Sequence, residues 1–335
     1  MSLRCFFGFD HENSMQQLID KWPGISGQWD YTPNTPFGDG RALLFNNPNF
    51  AKIHFPFDSQ PTWIVGYHFF PYGDLTEQRY LIRLYDDAQE QVRLEYSTAG
   101  HLEVRDGNGV LLAVTTEFYN DPTWKHIQFK TTIDNTAGAY EVQVNDKIVL
   151  SGSGVDTQIS ANASADGIQL GLFGYGYSYI DNLWVCDGAG VTFNDCLGEL
   201  RVITRRPNAP GNYTQWTPNT GTNWAAVDDP QPDEDATYVS SLTPGNKDSF
   251  PLVTLGVDSG VIHAVNRNIR ARKDDVDQRE IAMLTRQDAM DYEGANLELF
   301  TPYKSFRQQM ETCPDTTEWT REKFAAMQWG YTEKV

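Results

Sequence analysis

At 335 residues the chain is long enough for about two domains, and 40% hydrophobic with 13% aromatic residues leaves ample material for packed cores, which excludes wholesale disorder. Forty-five acidic residues against 26 basic ones give a formal net charge of −19. Such a surface repels phosphate backbones and anionic lipid, so neither nucleic-acid binding nor membrane insertion is expected.

The N-terminal stretch MSLRCFFGFDHENS has one basic residue and no long apolar core. It predicts no signal peptide, and no apolar run anywhere approaches a membrane span, so a soluble protein made in the cytoplasm is expected. A short helix follows over about 13–20, with Asn13 as its cap. From there a period of two dominates. Ala51, Ile53, Phe55 and Phe57 alternate with Lys52, His54 and Pro56, and Val92, Leu94 and Tyr96 alternate with Arg93, Glu95 and Ser97. Ile127, Phe129, Thr131 and Ile133 oppose His126, Gln128 and Lys130, and Tyr140, Val142 and Val144 oppose Glu141, Gln143 and Asn145. This alternation predicts half-buried antiparallel strands. Asp106-Gly107-Asn108-Gly109 and Asn145-Asp146 read as hairpin turns between them. A change of texture near 190–198 sets the expected domain boundary: 1–190 as one β-sandwich, 191–335 as a second β-rich sandwich. In the second, strands are expected at 250–256, 261–271, 280–286 and 296–300, with a closing helix over 320–328 capped by Thr320. The fold class expected is all-β, two antiparallel jelly-roll-like sandwiches with a few short helices.

Several strings in the first part resemble concanavalin-like or laminin-G-like jelly rolls. They are Phe6-Phe7-Gly8-Phe9-Asp10, Gly40-Arg41-Ala42-Leu43-Leu44-Phe45, Trp124-Lys125-His126-Ile127, the hairpin from Tyr140 to Asp146, and Tyr179-Ile180-Asp181-Asn182-Leu183-Trp184-Val185. From about 180 onward the order of pieces resembles tailed-bacteriophage virion proteins. The pieces are Ile180 to Val185, Asn194-Asp195, Leu197 to Val202, Tyr213 to Asn219, Asp235 to Ser241, Lys247-Asp248-Ser249-Phe250 and Trp319-Thr320. The resemblance implies a non-enzymatic virion structural protein, as a capsid decoration, head-fibre or tail-associated adhesin. Its implied partners are other virion proteins, copies of itself and host surface glycans. A free carbohydrate-binding lectin and a glycan depolymerase with dispersed carboxylates are the alternatives.

Motif chemistry is sparse. Glycosidases need two carboxyl groups flanking the scissile bond. The E-[apolar]-D-x-x-E string that supplies them on one strand of jelly-roll glucanases is absent; Glu103-Val104-Arg105-Asp106 comes nearest and runs into a turn. No G-x-S-x-G or HExxH string occurs, and His54 and His126 fall on polar strand faces, where surface histidines are expected. The expectation is therefore that the chain is no enzyme. Cys5, Cys186, Cys196 and Cys313 match no metal or redox spacing and read as free thiols, with a Cys186–Cys196 bridge as an alternative. No cofactor is expected apart from possible calcium, for which Asp228, Asp229, Asp233 and Asp235 supply oxygens without an EF-hand spacing. The suggestive features are aromatic: Trp29 and Tyr31 in a Pro/Gly-rich loop, Tyr175, Tyr177 and Tyr179 in a period-two stripe, and Trp216 and Trp224 in a polar loop. Flat rings in these places suit glycan or partner contact.

Overall fold

Strand after strand with a period of two can bury its apolar set only by laying one sheet on another. The computed structural model, which describes residues 3–45, 52–72, 79–171, 177–257 and 259–335, shows this arrangement in the first of two compact units. That unit comprises residues 1–10 and 22–202; the other comprises 11–21 and 203–335. Residues 191–202, assigned from sequence to the second domain, thus group with the first, and 11–21 group with the second.

Among the described residues the first unit has fifteen strands: β1 (Leu3–Phe7), β2 (Ser26–Gln28), β3 (Asp30–Thr32), β4 (Ala42–Phe45), β5 (Lys52–Gln60), β6 (Thr62–Tyr72), β7 (Arg79–Asp86), β8 (Gln89–Tyr96), β9 (Leu102–Asp106), β10 (Leu111–Val114), β11 (Lys125–Thr132), β12 (Gly138–Val144), β13 (Lys147–Val155), β14 (Ala165–Gly171) and β15 (Tyr177–Cys186). One sheet runs β13-β12-β11-β6-β15-β4-β3, with β1 also paired to β15; the other runs β10-β9-β8-β7-β14-β5-β2. The described pairings within both are antiparallel, as the alternating sequence requires.

The inner faces are the apolar sets. Trp63, Val65, Tyr67 and Phe69 of β6 and Ile127 and Phe129 of β11 are buried in one sheet. Ile53, Phe55, Ile82, Leu84, Val92, Leu94, Val104, Ile168 and Leu170 are buried in the other. Polar atoms carried inward on aromatic rings find acceptors: Trp63 Nε1 donates to the Ala165 carbonyl at 2.9 Å and Tyr67 Oη to that of Leu81 at 3.2 Å. Asn145 and Asp146 both take positive φ (49° and 63°), as the tight β12–β13 hairpin demands.

The second unit carries a four-stranded antiparallel sheet, β18-β23-β20-β21, and two two-stranded ladders, β16-β17 and β19-β22. The strands are β16 (Thr217–Pro218), β17 (Val239–Ser240), β18 (Lys247–Phe250), β19 (Val265–Ala271), β20 (Glu280–Gln287), β21 (Met290–Glu298), β22 (Lys304–Met310) and β23 (Gln328–Glu333). The expected strand at 250–256 ends at Phe250; Leu252 and Leu255 beyond it pack against a core of Cys313, Trp319, Phe324, Met327 and Trp329. The strand expected at 296–300 begins at Met290, because Asp288 and Ala289 form a tight turn with positive φ (49° and 65°) that no glycine or asparagine announces. Helix α1 (Met15–Lys21) is held in this unit by ion pairs of Asp20 with Lys304 (3.0 Å) and Arg270 (3.4 Å). Helix α2 (Arg321–Ala326) starts at Thr320, whose hydroxyl accepts the Lys323 N–H at 3.2 Å. No helix among the described residues is long and apolar enough to cross a membrane.

One glycine shows how closely the outer face of the first sheet is packed. Gly66 lies opposite Trp184, and a Cβ there would fall 2.2 Å from the indole ring. Gly66→Ala is expected to destabilise the protein by about 1–3 kcal/mol. Chemical denaturation checks this, and an unshifted midpoint would contradict the packing.

Candidate functional site

Register assembles the site. Asp181 on β15 lies opposite His68 on β6, and His68 lies opposite His126 on β11. All three belong to the set that points away from the core, yet they are buried, with His68 2%, His126 1% and Asp181 4% exposed. The next row outward is aromatic. The Phe70 ring lies 5.5 Å from both Trp124 and Tyr179, and Tyr72 pairs with Tyr177 at 6.2 Å. Tyr72 and Tyr177 are exposed, so a strip of rings runs from solvent to the buried histidines.

The histidine pair is covered by two short segments. His68 Nε2 is 2.9 Å from Glu199 Oε1, and the Phe37 ring meets the His68 ring edge-on at 5.1 Å. Arg201 lies over Phe37 and pairs with Asp39 at 2.6 Å. The His68 and His126 rings are 5.1 Å apart. Burial lowers the pKa of both, that of His126 to about 4 with a further push from His68, so both rings are neutral near pH 7. A neutral His68 facing a carboxylate must present Nε2–H to it, which leaves Nδ1 as a bare lone pair. Nδ1 has no hydrogen-bond partner among the described residues.

Asp181 is the complementary group. Burial pushes its pKa up to about 8, against the pull of the Asn182 N–H that donates to Oδ1 at 2.7 Å. Asp10 and Asp39 push it further and Arg201 opposes them. At neutral pH this carboxyl is largely protonated. A bulge after Asp181 turns Asn182 into the left-handed region (φ 51°), where its Oδ1 accepts the Val202 N–H at 2.6 Å. Gly198 N–H donates to Gln128 Oε1 at 3.0 Å, so residues 198–202 are fastened across the sheet.

Buried polar atoms are normally satisfied. On this one face His68 Nδ1, both nitrogens of His126, Asn182 Nδ2 and Trp184 Nε1 lack a hydrogen-bond partner among the described residues. Asp146 Oδ1, 3.5 Å from His126 Nδ1, is too loosely placed to serve. The outer face of the other sheet is different. Arg83, Arg93 and Arg105 form a cross-strand row matched by Glu90, Glu95 and Glu103, with Arg93 Nε to Glu95 at 2.6 Å and Arg105 Nε to Glu95 at 2.8 Å. That lattice balances three cations with three carboxylates and reads as structural.

Of the aromatic residues singled out from sequence, Tyr177 and Tyr179 join the site. Tyr175 lies outside the described residues. Trp29, expected on an exposed loop, is 2% exposed, and Tyr31 on β3 sits under Arg41 at 5.4 Å. Trp216 and Trp224 lie in the second unit; Trp216 donates to the Asn246 carbonyl and packs edge-on against Tyr331. The calcium candidates serve other contacts. Asp229 and Asp233 accept from Thr237, Asp235 pairs with Arg272 and Tyr303, and the Asp228 carbonyl accepts from Arg206. Among the described residues no group of three or more His, Cys, Asp or Glu could hold a metal ion. Cys186 and Cys196 are not bridged to each other, which corrects that alternative. His126, expected at the surface, is buried because the polar face of β11 is roofed. Glu103 and Asp106 stay outside the site, Glu103 in the ion-pair lattice and Asp106 accepting the Val110 N–H of the β9–β10 turn.

No protein-family model matches the chain, and neither does any curated sequence. Solved structures similar in fold include an endo-β-1,4-glucuronan lyase from the fungus Trichoderma reesei (11% identity, TM-score 0.43, covering 55% of this chain and 95% of that one). An alginate lyase (10%, 0.41, covering 54% and 95%) and a Trypanosoma rangeli sialidase (11%, 0.37, covering 48% and 27%) are others. Likeness at this level concerns the fold. The neighbours are nonetheless named as glycan-acting enzymes, where the sequence led to a non-enzymatic virion part. With an acid and a base gathered on one sheet face, the expectation that the chain is no enzyme is corrected.

The raised pKa of Asp181 has a sign that can be measured. The native state keeps a proton that the unfolded chain, with an ordinary value of 3.8, gives up. The contribution of Asp181 to stability is therefore expected to fall as pH rises from about 4 through about 8, and comparison with a variant lacking the carboxyl isolates it from the opposite contribution of the buried histidines. Asp181→Asn should remove that loss, melting close to the wild type near pH 4 and above it beyond pH 8. Parallel melting curves across the range would contradict it.

Proposed function

We propose that the chain is a glycan depolymerase working by general acid–base catalysis on the outer face of the first sheet. The observation that carries the reading is the placement of Asp181 opposite His68 on the adjacent strand, with His68 Nε2 2.9 Å from Glu199 and its Nδ1 without a hydrogen-bond partner among the described residues; burial favours the neutral imidazole and the protonated carboxyl. In this reading the cover of residues 198–202 must lift to admit the glycan, because His68 and Asp181 are buried beneath it; His68 Nδ1 then takes the proton that the reaction releases, and Asp181 gives its proton to the departing glycosidic oxygen. Glu199 is a positioning residue that sets the imidazole tautomer. The rings of Tyr177, Tyr72, Tyr179, Phe70 and Trp124 offer flat faces for successive sugars. The aromatic strip meets the acid–base pair at its buried end, so a bond in the chain, rather than a free monosaccharide, is the natural target.

The likeness of the motif order in 180–335 to virion proteins supports a setting on a phage particle, among other virion proteins. Detection of the chain in purified particles tests that setting.

The activity test is release of reducing ends from a panel of polysaccharides by the full chain. His68→Gln and Asp181→Asn are each expected to lower the rate by about 10²- to 10⁴-fold with circular dichroism unchanged. A folded wild type that releases none, or variants that keep full activity, would overturn the reading.

A further inference from the structure

The rim of the site is acidic. Glu199, which touches His68, and Asp146, beside His126, have side chains 54% and 52% exposed. Among the described residues the cations on this face are matched: Arg201 with Asp39 at 2.6 Å and Lys130 with Asp195 at 2.9 Å. A uronate carboxylate entering here would meet open Glu199 and Asp146, with no unmatched cation among the described residues of this face to receive it. This matters for the reaction as well as for binding. β-Elimination removes the carbon proton next to a sugar carboxylate, and that proton becomes acidic enough only when a cation or a donated proton neutralises the carboxylate. Asp181, in giving its proton to the leaving oxygen, is not available to neutralise a carboxylate as well.

Resting on the depolymerase reading, we infer that the substrate is a glycan without carboxylates, uncharged or bearing amino groups, and that its cleavage is hydrolytic. A water molecule gives a proton to His68 Nδ1 while its oxygen bonds to the anomeric carbon. The glycosidic carbon–oxygen bond breaks with its electron pair leaving on oxygen, which takes the Asp181 proton. The imidazolium then returns its extra proton through solvent to the Asp181 carboxylate. Water is the only co-reactant, and both residues end as they began.

The experiment offers the full chain a neutral β-glucan, a chitosan and an alginate. It reads reducing ends, the ultraviolet absorbance of an unsaturated product, and affinity by calorimetry. Reducing ends from the glucan or the chitosan without unsaturated product are expected. Alginate should bind roughly five- to tenfold more weakly than the neutral glycan at low salt, with the gap closing as salt is added. Asp39→Asn, which releases Arg201 from its partner, should strengthen alginate binding several-fold. Preferential cleavage of alginate, or an unsaturated product, would overturn this inference while leaving the depolymerase reading intact. If no glycan is cleaved the depolymerase reading falls, and alginate binding more tightly than the neutral glycan would remove the charge preference too.

Discussion

A carboxyl group taken out of water must be paired or protonated, and Asp181 meets that constraint by keeping its proton. The rest of the site follows from the same burial. The bulge that turns Asn182 left-handed supplies the one backbone donor to Asp181 and also fastens Val202, so the feature that positions the acid also ties down its roof. The roof buries His68 and His126 and holds both neutral. Removing water from a polar sheet face thereby creates an acid in one strand and a base in the next.

Such an arrangement needs a stiff platform. The two sheets interlock through Trp63, Tyr67, Phe69 and Phe129 on one side and Phe55, Leu84 and Leu94 on the other, leaving the outer face of the first sheet free for chemistry. The contrast between the two outer faces is instructive. On one, Arg83, Arg93 and Arg105 are matched by Glu90, Glu95 and Glu103. On the other, ring nitrogens and the Asn182 amide have no hydrogen-bond partner among the described residues and lie beside an acidic rim, which is where a ligand or ordered water would complete the hydrogen bonding.

Much of the fold was legible because strand alternation is a local signal. The runs at Ile53–Phe57, Val92–Tyr96 and Tyr140–Val144 lie in strands, the run from Ile127 does so as far as Thr132, with Ile133 just beyond the strand, and Asn145-Asp146 forms the expected hairpin. Turns without glycine or asparagine were not legible, as Asp288-Ala289 shows, and neither was the placing of 11–21, which depends on Asp20 finding Arg270 and Lys304 far along the chain. The site was the least visible part. His68, His126, Asp181 and Glu199 are scattered over more than a hundred residues and meet only because β6 lies between β11 and β15. The nearest local signal was His126 facing its strand's polar side; nothing local said that residues 198–202 would cover it. The aromatic stripe at 177–179 came closest to marking the place.

The most direct measurement is a side-chain nuclear magnetic resonance titration of the intact protein, following the Asp181 carboxyl carbon and the His68 ring nitrogens. The account expects Asp181 to titrate near pH 8 and His68 to be a neutral ring at pH 7 with its proton on Nε2. An Asp181 that titrates in the ordinary carboxylate range, beside a His68 that is an imidazolium at pH 7, would contradict it.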